Sequence, residues 1–199
     1  MSRLVLATRN AAKLDELRRI LAPLVPVEVI GLGDVPAYEE LPETGATFEE
    51  NALIKAREAA TRTGLPAVAD DSGLSVDALN GMPGVLSARW AGSAASDENN
   101  LRLVLEQTAD VPDERRGAAF VCAAVLVTPD GTEQVVLGTV TGTLLRAPRG
   151  TNGFGYDPVF RPDGESRTTA EMAPAEKDAI SHRGQAFRAL APIVARELG

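Results

Sequence analysis

Asp70 and Asp71 stand side by side after a short apolar run, residues 67–69, and precede Ser72, Gly73 and a second apolar run, 74–76. Carboxylates at the end of a buried strand are costly unless a cation compensates them. Mg²⁺ suits that task, because it takes one or two carboxylates and leaves its other positions to water and substrate phosphates. The same Asp-Asp-Ser-Gly sequence also makes a good Asx turn between two strands. For the dipeptide alone the turn is the better explanation, and other segments reverse that preference.

Residues 8–13, Thr-Arg-Asn-Ala-Ala-Lys, follow a predicted strand at 3–7 and open a helix reaching Leu21, with Leu14, Leu17, Ile20 and Leu21 at helical spacing. Thr8 or Asn10 can cap this helix, which puts Lys13 on a first turn whose dipole disfavours a cation. An anionic ligand on the exposed amides, with Arg9 and Lys13 beside it, removes the conflict. A solvated lysine is the plain alternative. In residues 151–158, Thr-Asn-Gly-Phe-Gly-Tyr-Asp-Pro, glycines flank Phe154. Core packing is the usual fate of such aromatics, but glycines also let a flat ligand approach a ring closely. Lys177, His182 and Arg183 gather where two short helical stretches meet; they form either a surface cluster or a donor-rich wall for an oxygen-bearing ligand. Cations, carboxylates at Glu43, Asp70 and Asp71, a ring at Phe154 and donors at one edge are what a nucleoside triphosphate with its metal requires.

The composition narrows the choice. A formal net charge of -8 argues against a general binder of nucleic acid or anionic membranes. The single cysteine, Cys122, sits in an apolar run and is expected to be a buried, inert thiol. No apolar run is long enough for a membrane span, and the N-terminal one is too short for a signal peptide, so a reducing cytoplasm is expected. Lysine is scarce among the 20 basic residues, occurring only at Lys13, Lys55 and Lys177. A chain that uses arginine for routine surface charge keeps lysine where a compact point charge is needed. The length of 199 residues predicts one domain, with two lobes around a cleft.

The positioning elements follow from periodicity and punctuation. A second strand is predicted at 27–31, then a polar loop, 32–46, that carries Glu39, Glu40 and Glu43. Thr47 and Glu50 have capping-box spacing for a helix to Arg62, stopped by Gly64 and Pro66. Ala52, Ala56, Ala59 and Ala60 give it a small face, while Asn51 and Lys55 share another that is either solvated or able to reach a phosphate. Ser96 caps a helix to Thr108. Long runs at 117–128 and 133–145, joined at Pro129-Asp130-Gly131, predict a hairpin and hence a mixed sheet. The last helix, from Ser181 to Leu198, turns Ala186, Phe187, Leu190 and Val194 inward, and Pro192 predicts a kink or an early end.

Five blocks in order resemble the RdgB/Ham1 family of purine nucleoside triphosphate pyrophosphatases, the inosine triphosphatase-like (Maf/Ham1) α/β fold. They are Thr8–Lys13, residues 43–56, 69–73 continuing through 87–92, 153–157 and 175–184, and they extend over nearly the whole chain. The resemblance implies a long curved mixed β-sheet flanked by helices, with two lobes around a central cleft. It further implies Mg²⁺-dependent hydrolysis of dITP, ITP and XTP to monophosphate and pyrophosphate by water attack on the α-phosphate, and a homodimer. Asp71 resembles the proton acceptor, and Glu43, Asp70 and Asp71 resemble the metal site, with duties undivided between the two aspartates. Thr8, Arg9, Asn10, Ala11, Ala12, Lys13 and Ser72 resemble the contacts to phosphate and sugar. Phe154, Gly155, Tyr156, Asp157, Lys177, His182 and Arg183 resemble the nucleoside pocket.

Two positions depart from the family pattern, Trp90, where a tyrosine is common, and Pro192. The donors of Lys177 and Arg183 suit the 6-oxo group of hypoxanthine and xanthine, and adenine would leave them unpaired. The rival readings are a Maf-type pyrophosphatase acting on modified pyrimidines and a nucleotide-binding module without turnover. The block at 153–157 together with His182-Arg183 favours the purine family.

Overall fold

In a computed structural model that describes residues 2–199, the first strand, β1 (Arg3–Leu6), is buried from Leu4 onward. Helix α1 (Ala11–Leu21) starts at Asn10, whose side chain accepts a hydrogen bond from the Lys13 amide at 3.1 Å. Strand β2 (Glu28–Gly31) runs parallel to β1, from Arg3 opposite Glu28 to Leu6 opposite Gly31. Helix α2 (Phe48–Thr63) is capped by Thr47 and ends at Gly64, which takes a left-handed φ of 66°. The predicted capping box closes by one half only. Thr47 accepts from the Glu50 amide, but the Glu50 carboxylate accepts from the Ala46 amide at 2.6 Å, one residue before the cap.

Strand β3 (Ala67–Val76) corrects a sequence expectation: Asp70 and Asp71 do not break the apolar run but lie inside one strand of ten residues. Helix α3 (Asp97–Gln107) follows, capped by Ser96. Strands β4 (Gly117–Val127) and β5 (Glu133–Leu144) are neighbours in the sheet, and the Thr128 amide closes their turn on the Thr132 carbonyl at 3.0 Å. Strand β6 (Phe160–Pro162) pairs antiparallel with the end of β5. Helices α4 (Pro174–Ile180) and α5 (His182–Leu198) complete the chain. The six strands join in the order β2-β1-β3-β4-β5-β6, and the sheet is mixed, as predicted. Among the described residues no helix is long and apolar enough to cross a membrane.

The chain divides into two compact units. The first comprises residues up to Asp71, Cys122–Gly138 and Arg183–Gly199. Strand side chains alternate between its two apolar clusters, as the period of two demands. Leu4, Leu6, Val68 and Leu126 pack with Leu17 and Leu21 of α1 and with Phe187, Leu190 and Val194 of α5. Val5, Ala67, Ala69 and Val125 pack with the small face of α2, namely Ala52, Ala56, Ala59 and Ala60. Helix α5 does not end early at Pro192 but continues to Leu198. A proline in a helix interior costs about 3 kcal/mol, while each large side chain buried on the inward face returns about 1.5–3 kcal/mol. Phe187, Leu190 and Val194 are all fully buried and outweigh the proline.

The second unit comprises Ser72–Val121 and Thr139–His182. Its core joins Leu74 and Val76 of β3 to Leu101, Val104, Phe120, Leu144, Tyr156 and Phe160. Phe120 meets the Phe160 ring edge-on at 4.5 Å and stacks on the His182 ring at 4.8 Å.

Phe187→Ala, which empties the centre of the α5 face, is expected to lower stability by about 3–5 kcal/mol. Urea denaturation measures it, and a loss below about 1 kcal/mol would contradict the packing described.

Candidate functional site

The alternation of β3 separates the two aspartates. Val68 belongs to the cluster of α1 and α5, and Ala67 and Ala69 to the cluster of α2. Asp70 therefore turns to the first side and Asp71 to the second. The partners agree. Asp70, 1% exposed, has its Oδ2 at 3.2 Å from both Lys13 Nζ of α1 and Arg183 Nε of α5. Arg183 reaches Glu16 of α1 with its other arm. Asp71, 6% exposed, accepts from Asn51 Nδ2 of α2 at 3.1 Å, and its Oδ1 lies 3.7 Å from Lys55 Nζ. The same Lys55 ammonium is 2.8 Å from Glu43 Oε1. All of these groups belong to the first unit.

Burial pushes the Asp71 carboxyl above its ordinary value, against the pull of Lys55 and Lys13; Glu43 adds to the rise, and the hydrogen bond from Asn51 opposes it. An acid raised in this way favours the folded state only in its protonated form. Its contribution is present below the ordinary carboxyl range and is lost as pH rises through the folded value. The ionised form of Asp71 is thus held against local stability. Burial by itself would lower the Lys55 ammonium, but Asp70, Asp71 and Glu43 together hold it above its ordinary value. Arg183 is raised by Asp70 and Glu16 despite complete burial and stays charged.

Among the described residues no three His, Cys, Asp or Glu side chains form a ready-made metal cage. Mg²⁺ does not need one, since it commonly binds through one or two carboxylates and completes its shell with water and phosphate oxygens. The donor set of Glu43, Asp70 and Asp71 is all oxygen, and with Glu16 it outnumbers the cations Lys13, Lys55 and Arg183 by one charge. That chemistry fits a hard divalent cation.

The strand-to-helix junction places Thr8, Arg9, Asn10, Ala11 and Ala12 at or near the surface, all but Thr8 exposed. Thr8 Oγ1 accepts from the Asn10 amide at 3.2 Å. Arg9 pairs with Glu40 and donates to the Tyr38 carbonyl at 2.9 Å. Ser72 lies half-buried on β3.

In the second unit the centre is Asp157, 2% exposed. Its Oδ2 accepts from Lys177 Nζ at 2.7 Å and from the Phe154 amide at 2.9 Å, and its Oδ1 accepts from the Thr169 hydroxyl at 2.8 Å. Lys177 Nζ also sits 5.1 Å from the Phe154 ring centroid. Gly153 is required there, because a Cβ on it would stand 2.0 Å from Asp157 Oδ2 and its φ is +74°. The Gly155 amide donates to Asp97 Oδ2 at 2.9 Å. Tyr156 is a core residue whose hydroxyl donates to the Ser87 carbonyl at 2.8 Å, and burial raises its phenol. The structure thus gathers Phe154, Asp157 and Lys177 around one carboxylate, sets His182 on Phe120, and ties Arg183 to Asp70 and Glu16.

Three residues of the charged centre escaped the sequence reading of the site. Asn51 and Lys55 gave a signal, their shared helix face, but nothing local named Asp71 as their target. Glu16 gave none.

A mixed sheet flanked by helices, with paired aspartates inside a central strand, defines an α/β fold built around a buried charged centre. The chain belongs to the Ham1 family, whose model matches residues 4–193. It is 62% identical over 197 residues to a dITP/XTP pyrophosphatase of Nocardia farcinica, covering 98% of this chain and 96% of that one. A crystal structure of a nucleoside-triphosphatase, dITP/XTP pyrophosphatase, from Mycobacterium abscessus superposes with a TM-score of 0.78 at 60% identity, covering 96% of this chain and 99% of the other. A HAM1 protein from Coxiella burnetii superposes with a TM-score of 0.87 at 44% identity, covering 98% and 100%.

Lys55→Met removes the strongest pull that lowers Asp71, so the Asp71 titration midpoint is expected to move to higher pH. Carboxyl-carbon NMR measures it; an unmoved or lowered midpoint would contradict the described pairing.

Proposed function

We propose that this chain hydrolyses dITP, ITP and XTP to the nucleoside monophosphate and pyrophosphate, with water attacking the α-phosphate. The observation that carries the reading is Asp71: a buried carboxyl raised by its surroundings, oriented by Asn51 and flanked by Lys55 and Glu43. A general base works best when its affinity for protons approaches the working pH. The full-length likeness to proteins named dITP/XTP pyrophosphatase supports the same reaction.

In this proposal Asp71 takes the proton from the attacking water. Glu43, Asp70 and Asp71 are the residues that would hold Mg²⁺, which when bound supplies charge neutralisation on the phosphates. The amides opening α1, with Thr8, Arg9, Asn10, Ala11, Ala12 and Lys13, receive the phosphate chain as a helix N-terminus receives an anion, and Ser72 joins them. Arg9 exchanges Glu40 for phosphate at little cost, because the pair it leaves is exposed. Phe154, Gly155, Asp157, Lys177 and His182 form the nucleoside side, with Tyr156 supporting it from the core, while Arg183 serves the charged centre through Asp70 and Glu16. Phe154 offers a ring face, and Lys177, held by Asp157, offers a donor to a 6-oxo group. A site built around such a donor rejects adenine far better than shape alone could. A homodimer in a reducing cytoplasm belongs to the same proposal.

The test is hydrolysis of dITP, XTP, dGTP and dATP with Mg²⁺, with pyrophosphate scored against phosphate. Fast release of pyrophosphate from dITP and XTP alone is expected; phosphate as the sole product would overturn the assignment of the α-phosphate and of Asp71. Lys177→Ala is expected to narrow the margin between dITP and dATP by roughly tenfold or more. An unchanged margin would remove Lys177 from base selection.

A further inference from the structure

Asn51 touches Asp71 but takes no proton and holds no substrate in the reaction described above, and its setting is unusual for an asparagine in a helix. It is fully buried in the first turns of α2. Each end of its amide is engaged: Nδ2 donates to Asp71 Oδ2 at 3.1 Å, and Oδ1 accepts from the Gly45 amide at 2.7 Å. Gly45 lies two residues after Glu43, in the segment between β2 and α2. That segment comes so close that a Cβ on Gly45 would stand 2.8 Å from Asn51 Oδ1 and 2.6 Å from Glu50 Cβ. Other side chains of α2 hold the same segment. Glu58 accepts from the Leu41 amide at 2.8 Å, Glu50 accepts from the Ala46 amide, and Lys55 meets Glu43. Only Asn51 also grips Asp71 with a neutral donor.

We infer that Asn51 is a positioning residue for the reaction: one arm of its amide fixes the Asp71 carboxylate, and the other fixes the backbone that carries Glu43. The inference rests on the reading of Asp71 as proton acceptor. The chemistry favours an amide over a charged side chain. A carboxylate at 51 could accept from Gly45 but would repel Asp71, and a cation could serve Asp71 but not Gly45. With one group serving both, the distance between Asp71 and the Glu43 segment is set by a rigid planar amide rather than by flexible side chains. Misplacement of a reacting group by about 1 Å can cost on the order of 10²-fold in rate, so the loss should fall on the chemical step.

Two variants separate the arms. Asn51→Asp keeps an acceptor for Gly45 and loses the donor to Asp71, whereas Asn51→Leu keeps the volume and loses both. Amide hydrogen exchange at Gly45 reads one arm without substrate, and kcat against KM for dITP reads the other. In Asn51→Asp the Gly45 amide is expected to stay protected while kcat falls roughly 10–100-fold and KM changes by less than about threefold. In Asn51→Leu, Gly45 exchange is expected to speed up as well. Wild-type kcat in Asn51→Asp would overturn the role toward Asp71, and so would a loss carried by KM alone. Unchanged Gly45 exchange in Asn51→Leu would overturn the role toward the loop. If Asn51→Leu fails to fold, Asn51→Asp still decides the first arm, and Gly45→Ala, whose Cβ displaces the loop from Asn51, replaces it for the second by the same exchange measurement. Wild-type protein assayed alongside keeps the two ideas apart: an inactive wild type defeats the functional reading, while Gly45 exchange still judges the clamp.

Discussion

Two neighbouring carboxylates buried in one strand turn their side chains to opposite faces, so their direct hydrogen-bond and ion-pair partners come from both sides of the sheet. That constraint shapes the first unit of this protein. Asp70 needs cations from the side of α1 and α5, and Lys13 and Arg183 supply them. Asp71 needs partners from the side of α2, and Asn51 and Lys55 supply them. Removing one partner of a buried ion pair costs about 3–5 kcal/mol, so the charged centre on β3 depends on α1, α2 and α5 keeping their places around it.

The two aspartates are compensated differently. Asp70 sits between two full cations, one of them anchored again by Glu16, which favours a fixed carboxylate. Asp71 meets one ammonium at a longer distance and a neutral amide, and burial leaves it raised. The first arrangement suits structure and charge placement, and the second suits a group that takes up a proton.

Much of this was legible in the sequence where the signal is local. The caps at Asn10, Thr47 and Ser96, the left-handed Gly64, the turn at Pro129-Asp130-Gly131 and the small face of α2 each follow from a few adjacent residues. What was not legible depends on distant partners. Asp70 and Asp71 read as a strand break because the groups that permit them inside β3 lie far away in sequence, Lys13 by 57 positions and Arg183 by 113. Glu16 carries no local signal, because its partner Arg183 lies 167 residues later. The early end that Pro192 allowed does not occur for the same reason, since the apolar face that keeps α5 helical is satisfied by other elements.

The measurement that tests this division most directly compares Asp71→Asn with Asp70→Asn in steady-state hydrolysis of dITP and in urea denaturation. Asp71→Asn should lose most of kcat, keep nucleotide affinity within about tenfold, and hold or gain stability near neutral pH. Asp70→Asn should lose stability on the order of 3–5 kcal/mol, because Lys13 and Arg183 are left without their carboxylate. Equal effects of the two variants on both quantities, or retained turnover in Asp71→Asn, would contradict the account.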